Sequence, residues 1–254
     1  MCSYLHYNLK DLIMNATPTK TVADFVTENI KTAHVFKKYG IDFCCGGGIS
    51  IEKACIKADV NIDDLLDDLE RVENTTSRAT DYNNWKLDFL ADHIVNVHHQ
   101  YIEDNIPMLK QYADRVAKVH GDHYHELLEI RELVHEVCGE LAAHCKKEEL
   151  ILFPFIRKMV TAQKEETALD NPHFGSVDNP IKMMEDEHEE AGEIFARISK
   201  LSNSYTVPPG ACNTYRAYYS KLQEFEEDLH EHVHKENNIL FPKSLQLEKE
   251  LRQA

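Results

Sequence analysis

Residues 144–154 read HCKKEELILFP, and residues 232–242 read HVHKENNILFP. Both fit His-x-x-Lys-Glu-x-x-Ile-Leu-Phe-Pro, 88 positions apart. In each copy the His and Glu stand four apart, a helical turn from each other on one face. The apolar residues around them keep that period. Ile130, Val134, Val137, Leu141, His144, Glu148, Ile151 and Phe155 are spaced 4-3-4-3-4-3-4. Tyr215, Tyr218, Leu222, Phe225, Leu229, His232, Glu236 and Ile239 are spaced 3-4-3-4-3-4-3. Such stripes are the core faces of bundle helices, so each His and Glu faces inward. Lys147 and Lys235 point elsewhere on this reading. The Ile-Leu-Phe-Pro tail reads as packing and a helix-end signal, because proline disfavours helix in the residue before it.

Two more segments carry the same pattern. Ile181, Met184, His188, Ala191, Phe195 and Ile198 form one stripe, and Ala91, Val95, His99, Ile102, Ile106 and Leu109 form another. Pro107 is expected to kink the latter helix near its end. Turn-forming stretches at 121–122, 168–180 and 202–213 separate the segments. Few stretches look like strands. The spacing predicts an all-α chain with a four-helix, up-down-up-down bundle. Polar, unperiodic residues 73–84 read as a linker. Before them lie short amphipathic segments around DFCCGGGIS (42–50). The expected domains are a small helical Cys-Cys domain over 15–73 and the bundle over 84–254.

Bulk properties narrow the function. The 254 residues are 43% hydrophobic and carry a formal charge of −16. That balance argues against nucleic acid or an anionic membrane surface as partner. No apolar run approaches the roughly 20 residues of a membrane span. The start shows no basic-then-apolar signal pattern. Seven cysteines, an odd number with only Cys44 and Cys45 clustered, fit reduced thiols in a cytoplasm.

The four stripes bring His99, His144 with Glu148, His188, and His232 with Glu236 to one interior. A bare carboxylate in an apolar core costs several kcal/mol. Two carboxylates and four imidazoles together call for cations, and two cations fit best because carboxylates can bridge them. His99 to His144 spans 45 residues and His188 to His232 spans 44, so the bundle reads as two copies of one helical hairpin about a pseudo-twofold axis. A single such histidine is most often an ordinary core residue, whereas six polar residues on matched stripes are a site. His93, His98, His135, His230 and His234 fall off the stripes and read as surface residues. Imidazole plus carboxylate without thiolate suits iron, manganese or zinc. Cys145 lies about 100° round the helix from His144 and should point away.

The strings DFCCGGG (42–48), VHHQY (97–101), MEDEHEEAGEIF (184–195) and the two repeats resemble the hemerythrin-like Repair of Iron Centres family along nearly the whole chain. The resemblance implies a non-haem di-iron centre, two irons with an oxo or hydroxo bridge, held by His99, His144, Glu148, His188, His232 and Glu236. It also implies a further ligand at His120, in KVHGDHYHE, where His123 and His125 stand close by. Adjacent cysteines bridge each other only with strain. Chemistry alone leaves Cys44 and Cys45 open between packing and function, and Asp42 opposes thiolate formation. The resemblance implies a functional pair. It further implies repair of iron–sulfur clusters damaged by oxidative or nitrosative stress, by supplying iron to damaged iron–sulfur proteins, in a homodimer. Nitric oxide reduction and reversible O2 or NO binding are the alternatives at the same centre.

Overall fold

In the computed structural model, residues 20–73 and 81–253 are described. Cys2, residues 15–19 and residues 74–80 of the linker lie outside them. The chain divides into two compact units, Met1–Asn84 and Trp85–Ala254. Among the described residues no strand forms, and one isolated bridge joins Thr21 to Ser50.

The small unit contains α1 (Val22–Glu28), α2 (Thr32–Lys38), α3 (Ile51–Ala58) and α4 (Ile62–Glu73). Thr21 and Asp24 close a capping box at the start of α1. Val22, Phe25, Val26, Phe36, Leu65 and Leu69 form the core. The Cys-Cys loop runs between α2 and α3. Two N–H groups at the start of α1, which have no partner inside the helix, hold it: Val22 donates to the Ile49 carbonyl at 3.0 Å and Ala23 to that of Gly47 at 2.8 Å. Gly47 is sterically required, since a Cβ there would stand 2.4 Å from the Phe43 carbonyl oxygen.

The larger unit is an all-α bundle of four rods. The first joins α5 (Leu87–Ile94) to α6 (Gln100–His120) through a π-helical segment, Val95–His99. The second joins α7 (Glu126–Lys147) to α8 (Phe153–Glu165) through π segment Glu148–Leu152. The third is α9 (Asp178–Leu201). The fourth joins α10 (Asn213–Lys235) to α11 (Phe241–Gln253) through π segment Glu236–Leu240. The second rod packs on the first and third, and the fourth on the first. The start of the first rod meets the end of the second, as antiparallel neighbours must. Buried Glu248 on α11 caps the third rod, accepting from Ser176 Oγ at 2.6 Å and from the Val177 N–H.

The prolines of the two repeats act differently from the sequence expectation. Pro107 sits inside α6, which continues to His120. Pro154 and Pro242 do not end their rods; each lies at the start of the helix after a π segment. A proline lacks the N–H that would bond four residues back and clashes with that carbonyl. The turn upstream opens instead. Phe153 N–H reaches back five residues to the Glu148 carbonyl, and Phe241 N–H to that of Glu236. A π turn holds more residues than an α turn and shifts the register past it. Ile151, assigned to the core stripe, is therefore 41% exposed, and Leu152 is buried in its place.

Gly47→Ala is expected to destabilise the small unit by about 1–3 kcal/mol through overpacking. Urea unfolding monitored in that unit measures it, and the bundle's transition should stay where it is.

Candidate metal centre

The rods bring six side chains into two groups that share both carboxylates. One group is His99, Glu148, His232 and Glu236; the other is His144, Glu148, His188 and Glu236. Within each group the ligand atoms lie within 4.8 Å of one another, and all are buried. Glu148 and Glu236 are 0% exposed. Each begins a π segment, and His99 ends one. π turns recur at functional sites because they re-aim side chains.

Neither group belongs to a single hairpin. The His99 group draws its histidines from the first and fourth rods, and the other group from the second and third. The pseudo-twofold exchanges the two positions, and each needs both hairpins.

The donor atoms converge on one another. His99 Nε2 and His144 Nε2 approach Glu148 Oε2 at 3.2 and 3.4 Å. His188 Nε2 lies 3.2 Å from Glu236 Oε2, and His232 Nε2 3.0 Å from Glu236 Oε1. Yet His99 Nε2, both Glu148 oxygens and Glu236 Oε2 are buried without a hydrogen-bond partner. His232 Nε2 and Glu236 Oε1 also meet as a hydrogen bond, but the other three contacts have ion-pair distance without hydrogen-bond alignment, as ligands around a shared centre do: neighbouring donors on an ion with bonds of about 2.1 Å stand about 3 Å apart. Glu236 offers one oxygen to each position. The residues fit a pair of metal ions.

Outer partners fix three of the four imidazoles. His99 Nδ1 bonds Glu149 at 3.1 Å, His144 Nδ1 bonds Glu187 at 2.9 Å, and His188 Nδ1 bonds Asn237 at 2.8 Å. Such bonds set the tautomer and aim the ring. The stripe reading missed these residues; their signal is position, since Glu149 and Asn237 follow the ligand glutamates and Glu187 precedes His188.

Electrostatics without an ion show what the ions replace. Burial opposes a charge on Glu236, but His232 and His188 hold its carboxyl well below the usual range. Burial likewise opposes charging His144, yet Glu148 and Glu187 raise it to about 10. His232 is as deeply buried beside Glu236 but falls to about 4, because burial outweighs Glu236 and because His99 and His98 face it. The difference follows the neighbours: a carboxylate stands behind His144, an imidazole behind His232.

Several expectations need correction. His120 ends the 21-residue α6, about 30 Å along the helix from His99. There it meets Cys212 Sγ at 3.2 Å and stacks on Tyr215, and it joins neither group. His123 and His125 are exposed beyond it. His98 and His234 are buried, not on the surface, while His93, His135 and His230 are half-buried. Lys235 is buried at 1% exposure, whereas the Lys147 side chain is 42% exposed. Cys145 is buried but stays out of both groups.

In the small unit Asp42 organises the Cys-Cys loop. Its carboxylate accepts the N–H groups of Cys44, Cys45 and Gly46 at 2.9, 3.2 and 2.8 Å, and the Cys44 thiol at 3.1 Å. Cys44 is buried and Cys45 exposed, and no disulfide forms among the described residues. The adjacent Cys45, burial and Asp42 all push the Cys44 thiol well up. Cys45 is thus the accessible sulfur, and Cys44 the held one.

A bundle of four antiparallel rods around a buried His and Glu cluster defines a hemerythrin-like cation-binding protein. Residues 90–244 match the Hemerythrin HHE cation binding domain, and residues 18–73 match a Domain of Unknown function (DUF542). The chain is similar to the "Iron-sulfur cluster repair protein YtfE" of Pectobacterium atrosepticum, 35% identical over 85% of this chain and 91% of that one. It is similar to the "Iron-sulfur cluster repair protein ScdA" of Staphylococcus haemolyticus, 30% identical over 89% and 98%. A "Probable iron-sulfur cluster repair protein" of Haemophilus influenzae is 33% identical over 83% and 90%. The chain belongs to the hemerythrin HHE family and, within it, to the group of the YtfE and ScdA proteins.

Three outcomes are expected. At neutral pH the ion-free site holds a proton on His144, and its carboxylate neighbours raise His99 as well, so metal loading should release at least one proton per chain, since a bound imidazole is neutral. A pH indicator in weak buffer reads it. The same raised His144 stabilises the ion-free protein fully below its ordinary value of 6.5, and that contribution fades as pH rises through about 10. Brief iodoacetamide treatment should modify Cys45 and spare Cys44, as mass spectrometry would show, and Asp42→Ala should expose Cys44 as well.

Proposed function

We propose that the bundle carries two non-haem irons, one in each group, bridged by Glu148, Glu236 and an oxo or hydroxo group. The protein uses them to restore iron–sulfur clusters damaged by oxidative or nitrosative stress, by supplying iron. The observation that carries this reading is the pair of fully buried carboxylates shared by two histidine pairs. Four imidazoles and two bridging carboxylates supply eight bonds, fewer than the about twelve that two six-coordinate irons accept. The unfilled places admit an oxygen bridge and a small ligand such as NO or O2. A bound iron supplies a redox-active ion whose affinity changes with its oxidation state.

The chain's own residues do the rest. Glu148 and Glu236 neutralise the ions in a core without water's help. Glu149, Glu187 and Asn237 hold the imidazoles in the ligating tautomer. Cys45 offers an exposed thiol, the chemistry that ligates iron in cluster proteins. Its role here is docking or relay at the client. An odd number of cysteines with only one adjacent pair supports a cytoplasmic location, and among the described residues no helix is long and apolar enough to cross a membrane. The three relatives are named for iron–sulfur cluster repair, which supports the same role here.

The test is reactivation of a dehydratase whose cluster has been damaged by peroxide. Iron-loaded protein should restore its activity. The Glu148→Ala, Glu236→Ala double variant should leave it at background. Equal reactivation by the double variant would sink the proposal.

A further inference from the structure

The two hairpins repeat their ligands but not what stands behind them. We infer that the two ion positions are unequal: the His99–His232 position yields its iron first, and the His144–His188 position retains its own. This rests on the two-iron reading above.

The His144–His188 position has both rings anchored. Glu187 takes His144 Nδ1 and is itself gripped by Lys147, and Asn237 takes His188 Nδ1. At the other position Glu149 anchors His99, but His232 Nδ1 is buried with no hydrogen-bond partner among the described residues.

The hairpin correspondence shows where the missing anchor went. Glu187 precedes His188, and its counterpart, preceding His99, is His98. The counterpart of Lys147 is Lys235. The Lys147–Glu187 pair thus becomes Lys235–His98. His98 is 2% exposed and lies flat on His232, ring centroids 5.4 Å apart and planes 2° apart. A ring offers hydrogen bonds from its edge, not its face. Both edge nitrogens of His98 are committed: Nε2 accepts from Lys235 Nζ at 2.8 Å, and Nδ1–H donates to Asp228 at 3.0 Å. His98 therefore packs against His232 without orienting it. Loss of such an outer partner weakens a metal site by about 10–100-fold, and one position lacks one that the other has.

The experiment uses the full chain loaded anaerobically with ferrous iron, then mixed with excess bipyridine. The colour should develop in two phases of equal size, with rates about 10–100-fold apart. His98→Glu puts a carboxylate where the other hairpin has Glu187, still within reach of Lys235. It should slow the fast phase towards the slow one. Glu187→Ala should speed the slow phase and leave the fast one alone. A single phase in the unaltered protein overturns the inference, as does a fast phase that a folded His98→Glu leaves unmoved. If circular dichroism shows His98→Glu unfolded, Glu187→Ala decides: acceleration of the fast phase alone overturns it. Failure to load two irons would instead overturn the two-iron reading, and this inference with it.

Discussion

Two carboxylates with no exposure, facing each other across a helical core, are the constraint on which the bundle depends. Each would be costly alone, and together they repel. Nearby histidines offset that cost in the ion-free protein, and cations offset it more fully. Every rod therefore contributes at least one imidazole, and the rods holding Glu148 and Glu236 also supply the carboxylates. The π segments serve the same constraint, since two begin at those glutamates and the third ends at His99. The proline of each repeat, by removing one donor from the helix ladder, helps keep the turn open where the carboxylate leaves the rod.

Much of this was legible in the sequence. A period of 3.6 residues placed His99, His144, Glu148, His188, His232 and Glu236 on inward faces, and all six meet in the core. The same period failed past the π turn of the second rod, whereas Ile102 and Ile239, past or within the other two, are buried as assigned. The shifted register leaves Ile151 outside, and His98 lies inside beside His99 within a π turn. The burial of Lys235 follows from its partner: His98 accepts its proton donor in the core, whereas Lys147 finds Glu187 near the surface. His120 failed for another reason. It had no stripe behind it, and the length of a straight helix carries it to the far end of the bundle.

The pseudo-symmetry is therefore a symmetry of ligands rather than of environments. Identical strings give each group the same donors, while the residues behind them differ. The small unit has a similar inequality. Asp42 and burial keep Cys44 in place while Cys45 faces outward. Two adjacent cysteines thus become one structural thiol and one accessible thiol.

Anomalous diffraction at the iron edge from crystals of the loaded protein tests the centre most directly. Two peaks are expected per chain, about 3.5 to 4 Å apart as in other paired-metal sites, with Glu148 and Glu236 bridging them. One peak, or iron bound at the His120 end of the bundle, would contradict the account.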